Sequence, residues 1–286
     1  MLENIIFGVI IGAKIAFVAI GFSLTFSILK FLNFAHGQMI ALGAYLCYVC
    51  YELLSIQPFI LSVSIAILTT GFIAILIERI IYKPIRDQGR LILLISSLGV
   101  SIALQATISL IFGSSPLVLS VSDPIMTIGP ITFFYRELIM VVFLISSFFI
   151  ATFLLKRSRY GIAIRSIAVN HTRAKLLGIP VDRVISIIFF ISASLAALAG
   201  IVIAVGFGIT PLMGFDYMIW AFAVAVISGL GSIRGILITG LVFGVIINLS
   251  IVYGSSLFAN AISLFCMSLV LVVRPNGLFT IKNRIY

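Results

Sequence analysis

Apolar runs of bilayer length recur along this chain: Ile5–Leu29, Gly37–Leu54, Phe59–Ile77, Leu91–Phe112, Leu138–Leu155, Val184–Val205, Met218–Ile233, Gly235–Val252 and Leu257–Val273. A membrane-crossing helix needs about 20 predominantly apolar residues. One buried core helix cannot account for so many such runs. The composition agrees, with 62% hydrophobic and only 9% charged residues, whereas a soluble domain carries about a quarter charged residues. Lipid is therefore the expected main solvent, and the expected fold is an all-α polytopic bundle of about nine spans, forming a single transmembrane domain over residues 1–286. The seventh and eighth runs are short and share the corner Gly229-Leu230-Gly231-Ser232-Ile233-Arg234-Gly235. One continuous helix through that corner would overrun the bilayer at 1.5 Å per residue, so two short helices meeting at a turn are predicted.

The distribution of Lys and Arg sets the orientation, because cytoplasmic loops are the basic ones. Arg79, Lys83, Arg86 and Arg90 cluster between the third and fourth runs. Lys156, Arg157, Arg159, Arg165, Arg173, Lys175 and Arg183 cluster between the fifth and sixth. Arg274, Lys282 and Arg284 follow the last run, whereas Gly113–Glu137 holds only Arg136 and Gly206–Tyr217 has no basic residue. Nine spans satisfy this pattern with the N-terminus outside and the C-terminus in the cytoplasm. The net charge of +10 is then a topological signal, spread over separate loops of one leaflet, and does not indicate nucleic-acid binding. The first charge is Glu3, and Ile5–Leu29 is too long for the apolar region of a secretory signal, so no cleavable leader is expected. No segment at either end is large enough for a soluble domain, so any energy source or solute receptor is expected on other chains. Cys47 and Cys50 form a C-x-x-C within an apolar run with no further Cys or His nearby. They read as small buried hydrophobes, not as a metal or redox site.

The basic segment 156–183 is the most informative loop. Asn170 suits an N-cap, Gly178 a C′ position, and Pro180 follows, so His171–Leu177 is predicted as a two-turn helix. Tyr160–Val169 is predicted as a second helix, with Ile162, Ile164 and Ile167 toward the membrane. The short helix projects Lys175, Leu176 and Leu177 together. Exposed leucines need a cover, either a partner protein or lipid headgroups, and the residues alone leave both open.

Six segments carry a family resemblance: Asn33-Phe34-Ala35-His36-Gly37; Glu78-Arg79 with Tyr82-Lys83-Pro84-Ile85-Arg86; Arg159-Tyr160-Gly161 through Arg165, Asn170 and Leu176-Leu177-Gly178-Ile179; Pro211-Leu212-Met213-Gly214-Phe215-Asp216; Gly229-Leu230-Gly231-Ser232-Ile233; and Arg274-Pro275-Asn276-Gly277-Leu278-Phe279. In this order the chain resembles the inner-membrane permease subunit of branched-chain amino acid ABC transporters of bacteria, nearly end to end. The resemblance implies a multi-pass importer subunit without its own catalytic site or cofactor. Two cytoplasmic ATPases would bind ATP and Mg, a second homologous permease or a second copy would complete the pathway, and an extracytoplasmic binding protein would deliver the solute. Residues 156–183 would be the coupling loop, with Arg165, Asn170, Lys175, Leu176, Leu177 and Gly178 directed to the ATPase. The solute would be a branched-chain amino acid or a relative, with urea, short amides and other amino acids as alternatives.

Lys14 departs from the pattern. It lies about 15 Å into the first run by helical rise, where a charge is expensive and usually functional. It either snorkels to the outer interface or faces the pathway or a partner subunit. Asn33, His36 and Gly37 are further pathway or gate candidates at the turn between the first two runs, where the plainer role is to satisfy free backbone groups at helix ends. Glu52, Gln105, Asn248 and Asn260 fit either pathway lining or bonding between helices. An intramembrane hydrolase is disfavoured, since the chain has two His, no H-E-x-x-H and no pair of carboxylates within runs. A stand-alone channel or secondary carrier is a remote alternative, as no buried acidic coupling site is evident.

Overall fold

The structure, a computed structural model, describes residues 2–121, 124–128, 131–254 and 256–279. Helix α1 (Leu2–Leu29) leads to α2 (Ala35–Tyr48), which continues into a π-helical turn, Val49–Leu53. Helix α3 (Phe59–Ile77) runs into a second π-helical turn, Glu78–Tyr82, and the single turn α4 (Lys83–Ile85). Then come α5 (Arg90–Phe112), strands β1 (Ile125–Ile128) and β2 (Ile131–Phe134), and helices α6 (Tyr135–Arg157), α7 (Arg159–Val169) and α8 (His171–Leu176). The chain ends with α9 (Val181–Phe207), α10 (Met213–Ser228), α11 (Ile233–Tyr253) and α12 (Ser256–Val273). Every apolar run coincides with one of these helices. Five helical segments among the described residues are both long and apolar enough to cross a membrane, and α10 and Phe258–Val273 are shorter apolar helices. The chain is thus a multi-pass membrane protein. The only described departure from helix, apart from loops, is the antiparallel β1–β2 pair and a single bridge between Leu117 and Ile209 that ties two loops together.

Helices α1 and α9 form the centre. From Ile15 to Ile20 no side chain of α1 is exposed, as expected of a helix that is apolar all round. Helix α1 packs against α11, α9 and α10; α9 also receives α2 and α3; α12 closes on α10. Helix α5 lies at the edge, with Leu91, Ile95, Ile102 and Leu110 exposed.

Small residues set the closest crossings, because without a Cβ two helix backbones can touch. Gly8 and Gly12 of α1 face Gly240 and Gly244 of α11, and a Cβ on Gly12 would stand 2.5 Å from the Gly240 carbonyl oxygen and 2.8 Å from Leu241 Cα. The pairs Gly8/Gly12 and Gly240/Gly244, each spaced four residues apart, thus pack on each other. Gly231 and Gly235, at the same spacing, do not join two helices: Gly231 sits in the corner with φ +96°, and Gly235 lies against Phe279.

The predicted corner is present, with a break between Ser228 and Ile233. Helix α10 begins five residues earlier than the apolar run, at Met213. The reason is packing: Gly37 and Gly214 bring α2 and α10 into backbone contact, and this contact requires residues 213–217 to be helical. The tail folds back on the same corner. Leu278 N–H donates to the Ile227 carbonyl at 2.9 Å and Phe279 N–H to the Ser228 carbonyl at 3.0 Å.

Candidate functional site: a capped helix and the polar network behind it

Helix α8 has the predicted caps. The Asn170 side-chain oxygen accepts from Arg173 N–H at 2.9 Å, which satisfies one of the first free backbone donors. At the other end Gly178 takes φ +79°. Gly178 N–H donates to the Lys175 carbonyl and Ile179 N–H to the Ala174 carbonyl, both at 3.1 Å. This paired bonding is a Schellman closure, and it places Leu177 at the C-cap, not in the last turn. Ala174 is buried, whereas Lys175, Leu176 and Leu177 point outward, the two leucines 83% and 79% exposed. Helix α7 has its own N-cap, Ser158, whose hydroxyl accepts from Gly161 N–H at 3.0 Å. Ile164 and Ile167 are buried, but Ile162 is 60% exposed. The expectation that all three lie on one side is therefore corrected: residues 164 and 167 share a buried face by helical spacing, and 162 falls off it. Arg165 is exposed on the same helix.

Behind α8 lies an ion-pair network not read from the sequence. Arg86 pairs with buried Glu78 and also donates from Nη1 to Asp182 Oδ1 at 3.0 Å. Lys83 Nζ stands 2.9 Å from Asp182 Oδ2. Ser186 Oγ donates to Glu78 Oε2 at 3.0 Å. Asp182 and Ser186 belong to the first turns of α9, directly after the α8 closure, and Glu78 opens the π-helical turn below α3. The only sequence signal was the segment Glu78–Arg86 itself, whose partner lies 96 positions away. An open cleft beside this network is lined by Lys30, Asp87, Arg90, Asn170 and Thr172 among others. Burial there, and then the nearby Arg90 charge, lower the Lys30 pKa.

The gate candidates Asn33, His36 and Gly37 are all buried. Asn33 Oδ1 accepts from the Tyr82 hydroxyl at 3.2 Å. His36 Nε2 lies 3.3 Å from the Val18 carbonyl oxygen and Nδ1 lies 3.3 Å from Ser192 Oγ. Ser192 Oγ donates its hydrogen to the Gly21 carbonyl at 2.6 Å, and with these contacts His36 ties together α1, α2 and α9. Thr25, Asn33, His36, Tyr82 and Ser192 line a small cavity with room for about one water. These residues are brought together, but the coupling-loop residues are not part of that cluster.

Lys14 lies inside the bundle. It is 2% exposed, and its Nζ lies 5.2 Å from the centroid of the Phe207 ring, a cation–π distance. Phe207 closes α9 and is itself exposed, so the buried amine lies beside the end of that helix. Among the other polar residues, Asn248 Nδ2 donates to the Asn4 carbonyl at 2.6 Å, Asn260 Oδ1 accepts from Trp220 Nε1 at 2.7 Å, and Glu52 Oε1 accepts from Ser120 N–H at 2.6 Å. Each bonds between elements.

A bundle of apolar helices, several of them long enough to cross a bilayer, defines a multi-pass membrane protein. The family described as "Branched-chain amino acid transport system / permease component" matches residues 4–274. The chain belongs to this family. It is 35% identical over 295 residues to the high-affinity branched-chain amino acid transport system permease protein LivH of Salmonella typhimurium, covering 97% of this chain and 94% of that one. The corresponding LivH of Escherichia coli is 34% identical with the same coverage. BraD of Pseudomonas aeruginosa, of the same description, is 31% identical over 97% of this chain and 95% of its own. Among solved structures, PsaBC from Streptococcus pneumoniae in complex with Fab superposes with a TM-score of 0.51, covering 96% of this chain and 92% of that one. At 15% identity this likeness concerns the fold alone.

Proposed function

We propose that this chain is the permease subunit of an ABC importer in a bacterial inner membrane and forms part of the translocation pathway for branched-chain or related amino acids. In this reading it has nine spans, with its N-terminus outside and its C-terminus in the cytoplasm. Two cytoplasmic ATPases drive it, a second homologous permease or a second copy completes the pathway, and an extracytoplasmic binding protein delivers solute. Catalysis, ATP and Mg belong to the ATPases. The observation that carries the reading is the state of α8: a six-residue helix held by both caps, with two adjacent leucines open to solvent. Fully burying a leucine side chain is worth about 1.5–3 kcal/mol, so this pair can anchor a small helix in a groove of the ATPase. Leu176→Asp should weaken ATPase association by about 2 kcal/mol or more, because docking would also bury an unpaired charge. The test is co-purification of the ATPase together with solute-stimulated ATP hydrolysis. A full complement of ATPase and normal stimulated turnover in Leu176→Asp would mean that α8 only lies on the membrane surface.

A further inference from the structure

The π-helical turn Glu78–Tyr82 holds two parts of the molecule at once. Its first residue, Glu78, is 1% exposed and bonds Arg86 and Ser186, while Arg86 bridges onward to Asp182. That side of the turn grips the first turns of α9. Only Ile179, Pro180 and Val181 separate Asp182 from the Gly178 closure of α8, and Val181 N–H donates back to the Ile179 carbonyl at 2.8 Å, so the base of α9 sets the direction in which α8 projects. The last residue of the turn, Tyr82, is also 1% exposed. Its hydroxyl donates to Asn33, and its ring packs on Phe31 at 5.6 Å and on Phe189 of α9 at 5.7 Å. That side grips the corner between α1 and α2, which Ser97 of α5 secures further through Phe34 N–H and the Leu32 carbonyl. An α-helical register packs successive turns tightly. The wider π turn is a local departure from it, of a kind found often at functional sites.

We propose that the turn Glu78–Tyr82, together with Arg86, is the joint that makes α8 and the α1–α2 corner move as one body. The importance of the joint for transport rests on the reading of α8 as the ATPase-coupling helix; its mechanical claim does not. Asp182, Arg86 and Tyr82 are positioning residues in this scheme. Asp182 is half exposed, so changing it need not disturb the fold. Tyr82→Phe keeps the ring packing and removes only the bond to Asn33.

The test is a distance measurement by pulsed electron–electron resonance. Spin labels are placed at Arg173→Cys, exposed on α8 and leaving both leucines in place, and at Lys30→Cys in a Cys266→Ser background, in the assembled transporter in nanodiscs, without nucleotide and with an ATP analogue. The expected result is one narrow distance distribution that is the same in both states. Asp182→Asn and Tyr82→Phe should each broaden the distribution and make it shift with nucleotide, at an unchanged melting temperature, and Asp182→Glu should restore the narrow form. A parent distance that already shifts with nucleotide, or variants that leave the distribution narrow and fixed, would overturn the joint. Failure of the coupling reading shows up separately, as retained ATPase in Leu176→Asp.

Discussion

Replacing Gly12 by Ala adds one methyl group at the crossing of α1 and α11. Built on the backbone, that carbon would sit 2.5 Å from the Gly240 carbonyl oxygen, 2.8 Å from Leu241 Cα and 2.9 Å from the Leu241 carbonyl oxygen. Non-bonded carbons settle at about 3.5–4.0 Å, so the helices would have to part by about 1 Å. All three neighbours are main-chain atoms and cannot rotate aside. Overpacking of this kind costs about 1–3 kcal/mol, and a backbone clash belongs in the upper half of that range. Alanine also gains about 1 kcal/mol in helix propensity over glycine, which would mask part of the loss. Gly99 of α5 supplies the correction, because a Cβ there meets nothing within 4 Å and Gly99→Ala records the propensity gain alone. The difference between the two variants should therefore be about 2–3 kcal/mol, with Gly12→Ala the less stable. Thermal unfolding of the purified subunit in detergent reads this as a gap of several degrees. If Gly12→Ala melts at or above Gly99→Ala, the glycines are not what allows α1 and α11 to approach, and the packing argument fails.

Cysteines introduced as Gly208→Cys and Ser166→Cys should report opposite sides of the membrane, with a membrane-impermeant thiol reagent labelling only the first in intact cells; labelling of the second alone would reverse the orientation. Asn170→Ala should cost about 1 kcal/mol of helix stability through loss of the cap and reduce ATPase retention less than Leu176→Asp does. Gly178→Val should misdirect α8 without removing the leucines, because a β-branched residue is a poor occupant of the left-handed region; retained ATPase with reduced stimulated turnover is the expected pattern, and normal turnover would count against it. Lys14→Met exchanges an enclosed charge for an apolar chain of similar length and should leave thermal stability equal or higher, since buried charges are weak stabilisers; loss of uptake in a normally assembled complex would place Lys14 on the pathway.

What the sequence made legible was what local chemistry determines. Helices appear wherever apolar length demands them, Asn170 and Gly178 announce the ends of α8, and the glycines from 229 to 235 announce a turn. Directional information was mostly absent. In lipid the outward face of a helix is as apolar as the inward one, so α3 and α9 read alike although one is peripheral and the other central. For the same reason the start of α10 was misplaced: residues 213–217 are not strongly apolar, yet the contact of Gly214 with Gly37 draws them into the helix. Lys14 could be located along α1 but not around it, and enclosure depends on what faces it. The joint was the hardest to anticipate. Glu78, Arg86 and Asp182 are ordinary charges in basic loops until the fold sets α3 beside α9.

The strap formed by Leu278 and Phe279 bears on how the protein is made. It donates two N–H groups to the carbonyls of Ile227 and Ser228 at the end of α10, and the last carbonyls of any helix lack partners within it. During synthesis these carbonyls emerge about fifty residues before their donors do, so α10 must wait for both α11 and α12 to be threaded before its end is closed. A nascent chain that stalls after Val273 would hold every described helix and still leave the Ile227 and Ser228 carbonyls without these two donors. The corner between α10 and α11 is therefore closed last, by the segment that follows the final helix.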